Sequence, residues 1–264
     1  MKFRLENKTV NDLESWFSDY VSAFRYRRKE LQQNINLKIE HTGRVKKEII
    51  SIGTQLGLDK NELNLAEIIA LFHDLGRFEQ YDRYKTFSDR KSEDHAELGI
   101  RILKQNDVLK ELDDAIKEIV FCSVKNHNKA SLPENETDVC LFYSRLVRDA
   151  DKLDIYRVVT SYYLRNDLQH NSALELGLPD TPGISKEIYE MLMAGNIVDS
   201  GYVKNLNDMK LLQAGWIYDL NFRPTLEFVK ERRYIELLRE ALPDTSEIRN
   251  IFDSINIHIR ESHN

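Results

Sequence analysis

Hydrophobic positions recur every three to four residues through most of the 264-residue chain, with little of the strict alternation that a half-buried strand requires. Only 10 Gly and 5 Pro punctuate it, so the periodic segments are long. This pattern predicts an all-α protein. "NDLE" at 11–14 has the form of a capping box and predicts a helix running to about residue 33. "NLAE" at 64–67 repeats that signal before "LAEIIALFHDLG". Leu37, His41, Val45, Ile49, Ile52 and Leu56 share one helical face, which sets His41 among apolar neighbours. Leu112, Ile116, Val120, Val124 and His127 form a second stripe with the histidine at its C-terminal end. Ser92 is a candidate cap for "EDHAELGIRIL", and Thr137 for the long helix "DVCLFYSRLVRDADKLDIYRVVTSYYL". By contrast "LGRFEQYDRYKTFSDRK" at 75–91 is polar, aromatic and basic and reads as a loop, where function often concentrates.

Three segments follow: an N-terminal helix in 1–33, a core in 34–169 and a helical extension in 170–264. The extension includes "TLEFVKERRYIELLREAL" and "SEIRNIFDSINIHI" beyond a break, "LGLPDTPGIS", at 176–185. No Gly/Ser linker separates it, so it is expected to pack on the core in one globule, and its amphipathic helices offer a surface for a homo-oligomer. At 41% hydrophobic residues the chain can bury a substantial core. Its net charge of −6, with no long block of like charge, speaks against duplex nucleic acid as a partner. There is no run of about 18 apolar residues and no apolar leader in "MKFRLENKTVNDLESW". A cytoplasmic protein without a membrane partner is the expectation. Cys122 and Cys140 lack CxxC spacing and are expected to be two reduced core thiols.

The chemistry lies in the histidines. Of seven, His41, His73, His95 and His127 all fall in or beside predicted helices of the first 160 residues. A single histidine on an apolar stripe is most often a hydrogen-bonded core residue, so the set weighs more than any member. Asp74 follows His73 at the end of an apolar helix, where the helix macrodipole opposes negative charge and "FHDLG" offers no cap. A nearby cation would remove that conflict.

His41, the pair His73–Asp74 and Asp151 within "RDADKLD" together resemble the signature of the HD superfamily of metal-dependent phosphohydrolases. His95 in "DHAELGI" and His127 in "VKNHN" resemble the two extra histidines of its binuclear members, and the resemblance spans about residues 37–160. It implies an HD-domain helical bundle in which His41, His73, Asp74 and Asp151 bind one metal. Asp74 bridges to a second, completed by His95 and His127. Adjacent helical residues point about 100° apart, so His73 and Asp74 can meet ions from two sides. The family pattern selects Asp151 over Asp149 and Asp154, which are left to pair with Arg145, Arg148 or Arg157.

The implied reaction is hydrolysis of a phosphate ester or anhydride, in a nucleotide or another small phosphorylated metabolite, by a metal-bridging hydroxide. The His-rich ligand set suits iron, manganese, nickel, cobalt or zinc, as one or two divalent ions, with magnesium a further option. Arg77 stands where related HD-GYP phosphodiesterases carry a phosphate-directed Lys, so the resemblance makes Asp74 and Arg77 the catalytic candidates. Lys125, Arg148 and Lys152 are further candidates for phosphate contact, and Tyr81, Tyr84 and Phe87 for stacking on a base. No GYP motif follows His127, which speaks against a cyclic-dinucleotide phosphodiesterase of the HD-GYP kind. Two alternatives share the ligands: a di-iron oxygenase of the HD type, and a non-catalytic HD signalling or binding module.

Overall fold

The computed structural model describes residues 4–165 and 172–261, and the expected boundary at 169/170, His170 and His263 lie outside that range. Among the described residues every regular element is helical. Helices α1 (Asn7–Ser22), α2 (Lys29–Gln55), α3 (Lys60–Phe72), α4 (Gly76–Tyr84), α5 (His95–Gln105) and α6 (Asp114–Asn126) precede the long α7 (Asp138–Tyr163). After it come α8 (Ser172–Glu175), α9 (Lys186–Met193), α10 (Leu206–Gly215), α11 (Arg223–Glu231), α12 (Tyr234–Glu240) and α13 (Ser246–Glu261). The chain divides within α7 into two compact units, Met1–Asp151 and Lys152–Asn264.

The first unit is built around α3. Leu65, Ala66, Ile68, Ile69, Ala70 and Phe72 are all fully buried, and a helix apolar on every side must be covered on every side. α1, α2 and α6 supply that cover. From α2 come Val45, Ile49 and Ile52, and from α6 Ile116, Val120 and Val124, as the stripes predict; Ile35 of α2 joins them from outside its stripe, whereas Leu37 and Leu56 are only half-buried. α4 and α5 approach closely because two glycines face each other. A Cβ on Gly76 would overlap the carbonyl oxygen of His95, and one on Gly99 would come within 3.2 Å of Gly76 N. In the second unit α10 contacts α9 and α12, and Ile188, Leu192, Leu211, Leu238, Ile251 and Ile255 are buried completely. The buried Asp208 carboxylate accepts bonds from Ser185 N, Ser185 Oγ and Lys204 N, which fixes the entry to α9.

Local signals misplace several boundaries. α1 starts at Asn7 and ends at Ser22 instead of running from 11 to 33. The chain turns because Phe24 packs on Phe78, with ring centroids 6.0 Å apart, and Tyr26 N donates to Gln32 Oε1. The working capping box of α3 is Asp59 with Glu62. "NLAE" lies inside the helix, where buried Asn64 donates to Leu5 O and Asn7 Oδ1. Residues 76–84, expected in a loop, are helical because Phe78, Gln80 and Tyr81 give the polar stretch one buried face. Asp94, not Ser92, caps α5, accepting from Ala96 N and Glu97 N, while Ser92 Oγ donates to Ser88 O. Thr137 Oγ1 does accept from Cys140 N at the start of α7. The segment 225–242 is two helices, broken where Arg233 takes a left-handed φ of 56°.

The cysteines also differ from expectation. Cys122 on α6 and Cys140 on α7 form a disulfide with Cα atoms 6.1 Å apart, not two separate thiols. The pairing depends on how the two helices lie together, and spacing along the chain carries no sign of it.

Candidate metal centre

Two helices of the first unit end in the same way. His73 is the C-cap of α3 and its Nδ1 lies 2.7 Å from Ala70 O; His127 is the C-cap of α6 and its Nδ1 lies 2.7 Å from Val124 O. A carbonyl oxygen only accepts, so both Nδ1 atoms carry the hydrogen. Each ring thereby satisfies a carbonyl that the helix end would leave unpaired. The consequence is that both Nε2 atoms present bare lone pairs to the interior.

Those lone pairs meet other donors. His41, held on the buried face of α2, brings Nε2 to 3.3 Å from His73 Nε2 and 3.1 Å from Asp151 Oδ1 of α7. His95, the first residue of α5, brings Nε2 to 3.0 Å from His127 Nε2. Asp74 stands between the pairs. Its Oδ2 lies 3.5 and 3.8 Å from Nε2 of His41 and His73, and its Oδ1 lies 3.2 and 3.8 Å from Nε2 of His95 and His127. Two donor groups thus share one carboxylate: His41, His73 and Asp74, and Asp74, His95 and His127.

This donor set fits cations. Two nitrogens each about 2.1 Å from a common ion stand about 3.0 Å apart at a right angle and about 3.4 Å apart at the tetrahedral angle. The His95–His127 and His41–His73 separations of 3.0 and 3.3 Å match that spacing. Protonation states agree. Burial pushes His73 down to about 4, against the attraction of Asp74, and burial together with Arg77 lowers His95. Burial opposes ionisation of Asp74, but Lys38 and His73 outweigh it and hold the carboxyl well below its ordinary range. Asp151 is likewise held low, by His41 against burial. Neutral imidazoles and ionised carboxylates are the states a metal requires. Of the six side chains Asp151, 20% exposed, is the most open to solvent.

The remaining candidates are more dispersed. Arg77 lies beside the cluster, with Nε 3.4 Å from Asp74 Oδ1, and its Nη1 donates to Gln80 Oε1, Phe87 O and Asp89 Oδ1. Arg148 is buried and donates to the carbonyls of Asn126, His127 and Lys129, closing the end of α6. Lys125 is half exposed, pairs with Glu97 and lines a cavity of about 590 Å³ beside the cysteines that none of the six residues touches. Lys152 donates to Asp219 in the second unit. Tyr81 stacks on Phe87 at 4.7 Å and accepts from Asn34 Nδ2, whereas Tyr84 is exposed. Asp154 lies 4.0 Å from Arg157, one of the three partners expected for it or Asp149.

Two residues escaped the sequence reading. Lys38 donates to Asp74 Oδ2 at 2.7 Å, with its ammonium also 5.4 Å from the Phe87 ring. It stands three residues before His41 on α2, so helical spacing could have found it. Asp89, in a single 3₁₀ turn, reaches His95 Nδ1 at 2.8 Å, and nothing local in "TFSDRK" announces that.

The arrangement agrees with comparison to known families. Residues 39–156 match the model of the HD domain. All six converging residues lie within the matched span, and Lys38 lies one residue outside it. No curated protein and no solved structure matches the chain. HD domains bind divalent metals, and the two groups that share Asp74 could hold them here. Among the described residues no helix is long and apolar enough to cross a membrane.

Proposed function

We propose that residues 39–156 form an HD domain that acts as a binuclear metal-dependent phosphohydrolase and cleaves a phosphate ester or anhydride of a nucleotide or another small phosphorylated metabolite. The observation that carries this reading is the division of Asp74, one oxygen toward His41 and His73 and the other toward His95 and His127. A bridging carboxylate holds two cations at the separation used for in-line attack at phosphorus. When bound, such a pair supplies a nucleophile from water at neutral pH and neutralises charge on the phosphoryl oxygens.

The residues would divide the work as follows. His41, His73, Asp74 and Asp151 hold one cation, and Asp74, His95 and His127 the other. The ammonium of Lys38, which meets Asp74 at the partly open side of the site, is placed to exchange that partner for a phosphate oxygen once a cation takes over Asp74. Arg77 adds positive charge beside Oδ1, and its three bonds keep the guanidinium in one orientation. No protein nucleophile is needed.

The test begins with elemental analysis of protein purified without a metal-binding tag. Phosphate release from a nucleotide panel is then assayed after chelation and after adding back iron, manganese, cobalt, nickel, zinc or magnesium singly. About two ions per chain, with release that depends on them, is the expected result. Substrate-dependent oxygen uptake by iron-loaded protein, without phosphate release, would favour the oxygenase. Failure to bind any metal would favour the non-catalytic module.

A further inference from the structure

His95 has a carboxylate at each of its ring nitrogens. Its Nε2 lies 3.2 Å from Asp74 Oδ1 and 3.0 Å from His127 Nε2, and its Nδ1 lies 2.8 and 3.0 Å from the two oxygens of Asp89. A neutral ring carries one hydrogen, so two tautomers compete. With the hydrogen on Nε2, His95 would donate inward to Asp74 or to His127, closing the site on itself. With the hydrogen on Nδ1 it donates outward to Asp89, and its lone pair joins those of His73 and His127.

Asp89 is held for the second arrangement. Its Oδ1 accepts from Arg77 Nη1 at 2.7 Å and from Gln80 Nε2 at 2.8 Å, and Asn128 Nδ2 approaches Oδ2 at 3.4 Å. Arg77 in turn places Nε 3.4 Å from Asp74 Oδ1. Contacts thus run from Asp74 through Arg77 and Asp89 to His95, whose Nε2 lies against Asp74 Oδ1. The only acceptor among the contacts of His95 Nδ1 is thus an anion pinned by a guanidinium and an amide. His95 and Asp74, at the two ends of this run, are both donors of the second group.

We propose that Asp89 is a positioning residue that selects the Nδ1–H tautomer of His95 and so forms the His95–His127–Asp74 half of the centre in advance of the cation. The proposal adds a residue outside the six and a separate device for one half of the site. It rests on the two-metal reading only for what the lone pair serves. A carboxylate behind a ligating histidine fixes ring orientation and raises ligand basicity, and its loss typically weakens metal binding about 10- to 100-fold.

The experiment compares full-length wild-type protein with Asp89→Ala and Asp89→Asn. In metal-free protein labelled with ¹⁵N-histidine, the His95 signals of wild type report hydrogen on Nδ1, and those of Asp89→Ala shift toward Nε2–H. In a cobalt titration Asp89→Ala keeps one site within about twofold of wild type and weakens the other about 10- to 100-fold. Asp89→Asn, which keeps an acceptor oxygen, falls between the two, and serves by itself if the alanine variant does not fold. An unchanged tautomer in the variants overturns the proposal, as does equal weakening of both cobalt sites. Wild-type protein that takes up a single cobalt ion defeats the two-metal reading instead, and the tautomer measurement then decides the role of Asp89 on its own.

Discussion

At the scale of single residues, the site gathers imidazole nitrogens and carboxylate oxygens into two groups that share Asp74. Asp74→Ala should reduce bound metal to a small fraction of the wild-type content and abolish phosphate release, while far-UV circular dichroism stays nearly unchanged, since no helix depends on the side chain. Retention of both ions would sink the bridging role. Lys38 is its counterweight in the absence of metal, at 2.7 Å from Oδ2. Lys38→Met removes the competing ammonium without adding a charge. Metal affinity measured by titration should rise several-fold, whereas KM for a phosphorylated substrate should increase. A fall in metal affinity would show that the lysine supports the site in some other way.

At the scale of elements, close helix approach and one cross-link set where the ligands stand. Gly76 faces the backbone of α5 with no room for a methyl group, whereas a Cβ on Gly43 in α2 would meet nothing within 4 Å. Gly76→Ala must push α4 from α5 and separate Asp74 from His95; it should cost about 3 kcal/mol and lower metal content. Gly43→Ala lies in a helix with open space around it and should instead stabilise by about 0.5–1 kcal/mol. Thermal melts of the two variants test the contrast. The Cys122–Cys140 disulfide joins α6, which ends in His127, to α7, which carries Asp151, across a sequence separation of 18. Reducing it, or Cys140→Ser, should lower the unfolding free energy by about 3 kcal/mol, read from denaturant curves.

For the whole molecule the predictions concern pH and metal. Burial lowers His73 from 6.5 to about 4, so between those values the unfolded chain binds a proton that the native protein refuses. Stability of the metal-free protein therefore falls as pH drops from about 6.5 to about 4, by about 3 kcal/mol from this group, and loses no more from it below that range. Metal binding requires the same neutral ring, so acidification should also release the ions. Denaturant midpoints across that pH range, with and without chelator, check both statements. Added metal should raise the melting temperature in proportion to the logarithm of its free concentration above Kd, because it binds the native state alone.

What the sequence determined by itself was periodic or local: the helical class, the buried faces of α2 and α6, the Thr137 cap, and the ordered histidines and aspartates matching the HD pattern. These were legible because a helix repeats every 3.6 residues and a metal ligand must be one of a few side-chain types. Helix ends were less so. The turn after Ser22 depends on Phe24 reaching Phe78, and α4 is a helix because Phe78, Gln80 and Tyr81 find a covered surface, neither of which is a property of the neighbouring residues. Only the tertiary structure decided that Asp74 divides its oxygens, that Lys38 and Asp89 join the site, that Arg148 serves the end of α6, and that Cys122 meets Cys140. Most of these contacts join residues distant in the chain, and their existence turns on how helices are stacked and rotated. Sequence spacing encodes a residue's face on its own helix, but not what stands opposite that face.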